Sequence, residues 1–468
     1  MPDDLLREMG RTGSGPRVLE MLVADQRRRR LLVLRALLDA VRAAPAGTLP
    51  AGTAEGVLRD WKLLEEAEQA DPAAARRIVH YAHTGPWAER CLRALTVTGQ
   101  AHRAAAGLPY LAALGAAAAA RAGLRFSTDV PVRNGELTLP TLGHYRPPAG
   151  MGYPGTVSRV QVKGDGNLLW LHLDGRAVDH ARDHASRRPD VPHAVEVRRG
   201  PDGVWRSAAP GWRPLQALRT EDGQTVLIDD ADPYRDEERH SNPYGLVAAD
   251  TVDAVARTQW HTAWRDAQPW LRLGDGTRAQ EAAALLDCFV PLAGLPTAHC
   301  SATRREAFGA LLSTTPHSGL ELAGTVVHEL QHTKLLALSE ATVLHTADNT
   351  PAYWAPWRPD PRPFDGLFQG AYAHLALADF YLKVALTDTV PARRDTAWAD
   401  HCRCRQQVEA ALPALLGSNR LTPQGRTLVK EMAAHHTRLK ENSPPDGHLA
   451  RAAAYVETSR VIWRRQRA

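Results

Sequence analysis

Three residues within one helical turn could do chemistry: His328, Glu329 and His332, in "VVHELQHTKLLAL". On an α-helix, positions i and i+4 share a face, so both imidazoles can be aimed at a single metal ion. Glu329 projects about a quarter-turn away. In a zinc peptidase that offset lets the carboxylate act as general base on metal-bound water while staying out of the ligand set. Two histidines leave such a site incomplete, and a third protein ligand must be found. One peptidase pattern places Gly and a third His seven and ten residues after the first His, but Leu335 and Leu338 stand there. The other takes a Glu from a following helix. After Glu340 the next Glu is Glu409, and Glu340 lies about 12 Å along the axis from His332 at roughly 1.5 Å per residue.

The stretch "FDGLFQGAYAHLALADFYLKVAL", residues 364 to 386, offers His374 instead. Gly370, Ala371, Ala378 and Tyr381 share its face, and the small residues allow a close approach to the first helix. Asp379 projects from another side of the same helix. It and Asp348 stand as carboxylate alternatives, which would give the two-His-one-carboxylate set of non-haem iron oxygenases. Imidazole suits Fe(II) and Zn(II) alike, so ligand type leaves the metal open. Between the two helices runs "YWAPWRPDPRP", stiffened by Pro356, Pro359, Pro361 and Pro363 and carrying Trp354, Trp357, Arg358 and Arg362. A guanidinium pairs bidentately with a carboxylate, so Arg358 and Arg362 could hold the far end of a dicarboxylate co-substrate. The opposing reading is a surface loop whose arginines pair with Asp360 and Asp365.

The elements that must position these residues follow from local pattern. "SGLE", Ser318 to Glu321, matches a capping box ahead of the first helix, and Val326, Val327, Leu330 and Leu335 give that helix a buried side. Residues 1–122 show three-and-four apolar spacing and predict a helical N-terminal domain, in which Arg27 to Arg30 read as a solvated face. Residues 123–240 change to short β-branched runs punctuated by Gly, Pro, Asn and Asp, a strand-rich middle domain suited to peptide recognition by edge pairing. Residues 241–468 predict a helical metal-binding catalytic domain. The fold class expected is α+β, predominantly helical. Asp229, Asp230 and Asp232 read as a turn after a strand, and His180 with His184 as surface residues.

The chain has 468 residues, 44% of them apolar, with 57 basic against 52 acidic side chains, a formal charge of +5. That excess does not call for nucleic acid. Five scattered cysteines argue against a disulfide framework and for a reducing compartment. The opening "MPDDLLREMGRTG" lacks the order of a signal peptide, and the Ala-rich run at 104–124 reads as a closely packed core helix with no membrane role, so a cytoplasmic location is expected.

The segments "VVHELQHTKLLAL", "YWAPWRPDPRP" and "LFQGAYAHLALADFY", with "VLEMLVADQRRRRLLVLRALLDA" and "LIDDADPYRD", resemble the α-ketoglutarate-dependent HExxH-type peptide β-hydroxylases, a domain also found at the C-terminal end of FxSxx-type radical SAM maturases. The resemblance covers nearly the whole chain. It implies Fe(II) on His328 and His332, 2-oxoglutarate and O₂ as co-substrates, and a ribosomally made precursor peptide as partner. The cluster-binding cysteine pattern of the fused members is absent, so the stand-alone form is implied. In such an oxygenase Glu329 orients a ligand or a water in place of serving as base. A zinc metallopeptidase is the alternative, and a non-catalytic precursor-binding protein a third reading.

Overall fold

The structure, a computed structural model, describes residues 2–148, 159–173, 194–220, 223–236, 246–294 and 299–466. The chain begins with α1 (Asp3–Gly10), α2 (Pro16–Arg42), α3 (Thr53–Ala70), α4 (Pro72–Val79), α5 (Thr84–Thr96), α6 (Ala101–Gly107) and α7 (Tyr110–Arg121). Strands β1 (Phe126–Arg133), β2 (Glu136–Leu139), β3 (Gly143–Tyr145), β4 (Arg159–Asp165), β5 (Leu168–His172), β6 (Ala194–Arg199), β7 (Trp205–Arg206) and β8 (Trp212–Pro214) follow. They form one antiparallel sheet in the order β7-β6-β5-β4-β1-β2-β3-β8. Its two end strands meet, with Trp212 Nε1 donating to the Trp205 carbonyl at 2.8 Å. Strict alternation along β4 and β5 turns Val160, Val162, Leu169 and Leu171 inward. The same core takes in α7, whose residues from Tyr110 to Ala120 are all buried. The Ala-rich run expected as one core helix is divided between the end of α6 and α7, and α7 is the core helix, its small side chains permitting close packing. Among the described residues no helix is long and apolar enough to cross a membrane.

The second sheet comprises β9 (Gln216–Arg219), β10 (Thr225–Ile228), β11 (Cys288–Pro291), β12 (Ser301–Thr303) and β13 (Ala310–Ser313), in the order β12-β13-β11-β10-β9. Strands β10, β11 and β13 run parallel, and both edge strands are antiparallel to their neighbours. The region 241–468, expected as a helical domain, is helical but also contributes β11, β12 and β13 to this sheet. Strand β11 is buried at all four positions and shows no alternation, and β12 is only three residues long, so neither carries a period to read.

Around this sheet lie α8 (Ala254–Leu271), α9 (Thr277–Leu285), α10 (Gly319–Ala341), α11 (Phe364–Thr387), α12 (Pro391–Leu416), α13 (Pro423–Leu439) and α14 (His448–Arg465). The fold is α+β and mostly helical. Packing does not follow chain order. One core joins Leu5, Leu6 and Met9 of α1 to α8–α13, and α2 feeds it with Val18, Leu19 and Leu22. Further along α2, Leu34, Leu37, Leu38 and Val41 enter the other core, with α3–α7 and the large sheet. The Asp229–Asp232 stretch is a turn: one Asp229 oxygen accepts from the Ala231 and Asp232 amides, and Tyr81 donates to the other. His180 and His184 lie outside the described residues.

Candidate metal centre

Helix α10 starts where its cap says. Ser318 Oγ accepts from the Glu321 amide at 3.2 Å, while the Glu321 carboxylate reaches back to the His317 amide at 2.8 Å, one residue before the capping-box position. Val326, Val327, Leu330 and Leu335 are buried as expected. The helix turns its histidine face to α11.

There the His328 and His332 Nε2 atoms stand 3.2 Å apart. Two metal–nitrogen bonds of about 2.1 Å span that separation at an angle of roughly 100°, between octahedral and tetrahedral values. His332 Nδ1 faces the Gln369 side-chain carbonyl at 3.3 Å. Donation there leaves the Nε2 lone pair aimed at the shared point. With both Nε2 atoms unprotonated their lone pairs converge on one point, so the donor set fits a metal ion. His328 keeps 24% of its side-chain surface exposed. The surrounding protein still pushes its pKa down to about 4 by burial, so the imidazole is in its neutral, ligating form.

His374 comes from α11 on the other side of this pair, its ring centroid 5.5 Å from that of His328. Its Nδ1–H donates to the Gly370 carbonyl at 2.8 Å, again leaving Nε2 as the lone-pair nitrogen. Trp357 stacks on the ring at 4.5 Å with an interplanar angle of 19°. Burial, with His328 adding to it, pushes the His374 pKa down to about 3. Among the described residues no three His, Cys, Asp or Glu side chains converge as a ready metal-binding group. The His328–His332 pair is formed, and His374 stands beside it.

The carboxylate alternatives are elsewhere. Asp379 pairs with Arg278 at 3.4 Å and Lys383 at 3.2 Å, and Asp348 caps the Thr350 amide from an exposed turn. Of the loop arginines, Arg358 Nε donates to Asp360 at 2.9 Å and Arg362 approaches the same carboxylate at 3.6 Å. The loop is closed by backbone bonds between Tyr353 and Arg362 in both directions. The pairing with Asp360 foreseen for a surface loop is thus present, while Trp357, just before Arg358, carries the loop onto His374.

Glu329 is 2% exposed and held from strand β12: Ser301 Oγ donates to Oε1 at 2.6 Å and Thr303 Oγ1 to Oε2 at 2.7 Å. Its Oε1 stays 4.0 Å from His328 Nε2. Sequence reasoning missed both hydroxyls, since a three-residue strand gives no signal. It also missed Arg403 of α12, which adds to the positive field lowering His374 and pairs with Asp400 at 2.8 Å. Gly324, one turn before His328, leaves room for the Tyr381 hydroxyl. Compared with protein-family models the chain matches none, and no curated protein matches it either.

Proposed function

We propose that the protein is an Fe(II)- and 2-oxoglutarate-dependent hydroxylase acting on a side-chain β-carbon of a ribosomally made precursor peptide. The observation that carries this reading is the paired Nε2 atoms of His328 and His332 beside a third imidazole, His374, on which an arginine-bearing loop is seated through Trp357. In this reading His328, His332 and His374 hold the metal and leave coordination positions open. Iron bound there with O₂ and 2-oxoglutarate supplies the oxidising power that turns C–H into C–OH as 2-oxoglutarate becomes succinate and CO₂. Arg358 or Arg362 pairs with the distal carboxylate of 2-oxoglutarate, exchanging its contact with Asp360. Ser301 and Thr303 fix Glu329, which orients a ligand or water next to His328. The likeness of the two helices and the loop between them to the HExxH-type peptide β-hydroxylases supports the same assignment.

Anaerobic reconstitution with Fe(II), followed by 2-oxoglutarate, O₂ and a candidate precursor peptide, tests this. Succinate and a peptide heavier by one oxygen atom are expected. His374→Ala is expected to abolish stoichiometric iron retention with the fold intact, and retained iron together with activity would sink that ligand assignment. One observation favours a second reading: Glu329 Oε1, 4.0 Å from His328 Nε2, is near enough to meet a metal-bound water as a base. Cleaved peptide with Zn(II), independent of 2-oxoglutarate, would establish a zinc peptidase.

A further inference from the structure

Away from the metal centre, between α2 and α4, lies a cavity of about 540 Å³ whose charge has no evident purpose in the fold. Arg27 and Arg30 line it from α2, Arg76 and Arg77 from α4, and His80 from the end of α4. Asp287 is the single carboxylate among the described lining residues. Apolar lining comes from Val23 of α2, one turn before Arg27, and from Leu285 and Phe308. Arg30 is buried at the floor, where its Nη1 donates to the Tyr81 carbonyl at 2.6 Å. Arg27, Arg76 and Arg77 are exposed at the rim. Among the described residues no carboxylate comes within ion-pair distance of any of these four guanidiniums. His80 Nδ1 is shielded from solvent without a hydrogen-bond partner. Burial, and then Arg27, Arg30 and Arg76, push the His80 pKa down to about 4.

Gathering four cations around one carboxylate is unfavourable, most of all where a guanidinium is out of water. Asp287 offsets part of this charge and Glu89 and Glu340 act on Arg30 from outside the cavity, so the rim arginines Arg27, Arg76 and Arg77 carry most of the positive charge that a ligand would neutralise. A monocarboxylate would leave most of that field uncompensated. Guanidinium forks match phosphoryl oxygens two at a time, and the apolar lining gives an organic group a surface to lie on.

We infer that this cleft binds a small phosphorylated molecule, its phosphoryl oxygens held by Arg27, Arg30, Arg76 and Arg77 and its organic part resting on Val23, Leu285 and Phe308. The site is independent of the metal centre, and its test does not depend on the metal or the reaction.

Inorganic pyrophosphate is the probe, titrated calorimetrically into the full-length protein with chelator present and at low salt, about 50 mM, where screening is weak. One-to-one binding is expected. The double variant Arg76→Gln/Arg77→Gln, at two exposed positions, should keep the wild-type melting curve and weaken pyrophosphate binding by at least about tenfold. Arg59→Gln, on a separate groove, should change nothing. Citrate, a trianion without phosphorus, should bind at least about tenfold more weakly than pyrophosphate. Absence of binding by the wild type, unchanged affinity in the double variant, or citrate binding as tightly as pyrophosphate would each overturn the assignment.

Discussion

Glu329 is tied to two hydroxyls and lies beside the paired imidazoles of His328 and His332, so single atoms can be tested there. Replacing Ser301 with Ala and Thr303 with Val removes both donors to a buried carboxylate. We expect a loss of about 1–3 kcal/mol in stability and a clear fall in turnover, with metal stoichiometry unchanged. Unaltered turnover would mean that the orientation of Glu329 is immaterial. Asp379→Asn should leave metal content at the wild-type level, because that carboxylate serves Arg278 and Lys383. His332→Ala should lose the metal outright, as measured by atomic absorption after gel filtration. At this scale the approach of His332 to His328 was legible from their i, i+4 spacing, and the nearness of His374 from the helical pattern of residues 364 to 386. Ser301 and Thr303 were not, because their pairing with Glu329 spans 28 and 26 residues and no local pattern encodes it.

Helices α10 and α11 bring the imidazoles together only because small residues let other side chains pass between and beside them. A methyl group on residue 370 would overlap the Trp357 indole. Gly370→Ala is therefore expected to dislodge the ring from His374, lowering stability by about 1–3 kcal/mol and weakening metal binding. Urea denaturation and a metal-competition titration would show it, and unchanged tryptophan emission with wild-type affinity would refute it. The start of α10 and the buried side that follows were readable from Ser318 to Leu335. The phase of α2 held a signal that was overlooked: Leu22, Gln26, Arg30 and Leu34 fall on one i+4 row, and all four are buried. Arg30 is thus no solvated residue, though four consecutive arginines read as one.

Across the whole molecule, the far side of α10 is held by a charged cluster that no stretch of sequence announces. Lys334 is 0% exposed, and its Nζ donates to Glu281 at 2.5 Å and to the Thr12 carbonyl at 2.7 Å. Arg278 also donates to Glu281, at 3.0 Å, and to the Thr12 carbonyl, at 2.6 Å. Thr12 itself takes a positive φ of 65°, strained for a β-branched residue, to present that carbonyl. Glu281→Gln leaves the buried Lys334 with neutral acceptors alone and Arg278 with Asp379 as its remaining carboxylate, and should cost about 3–5 kcal/mol by chemical denaturation. Adding Lys334→Met should recover part of that loss, since an apolar side chain needs no counter-charge there. A double variant no more stable than the single one would rule this account out.

The packing of α1 has a consequence for how the chain is made. Leu5, Leu6 and Met9 belong to the core of the C-terminal helices, and Gly10 lies against Leu428 and Glu431 of α13. About 420 residues separate these partners. At roughly 5–20 residues per second on the ribosome, α1 waits some 20–80 s with its apolar face uncovered. During synthesis that first helix is a natural target for a holdase chaperone, which ribosome profiling of chaperone-bound nascent chains would detect as occupancy lasting until the last helices emerge.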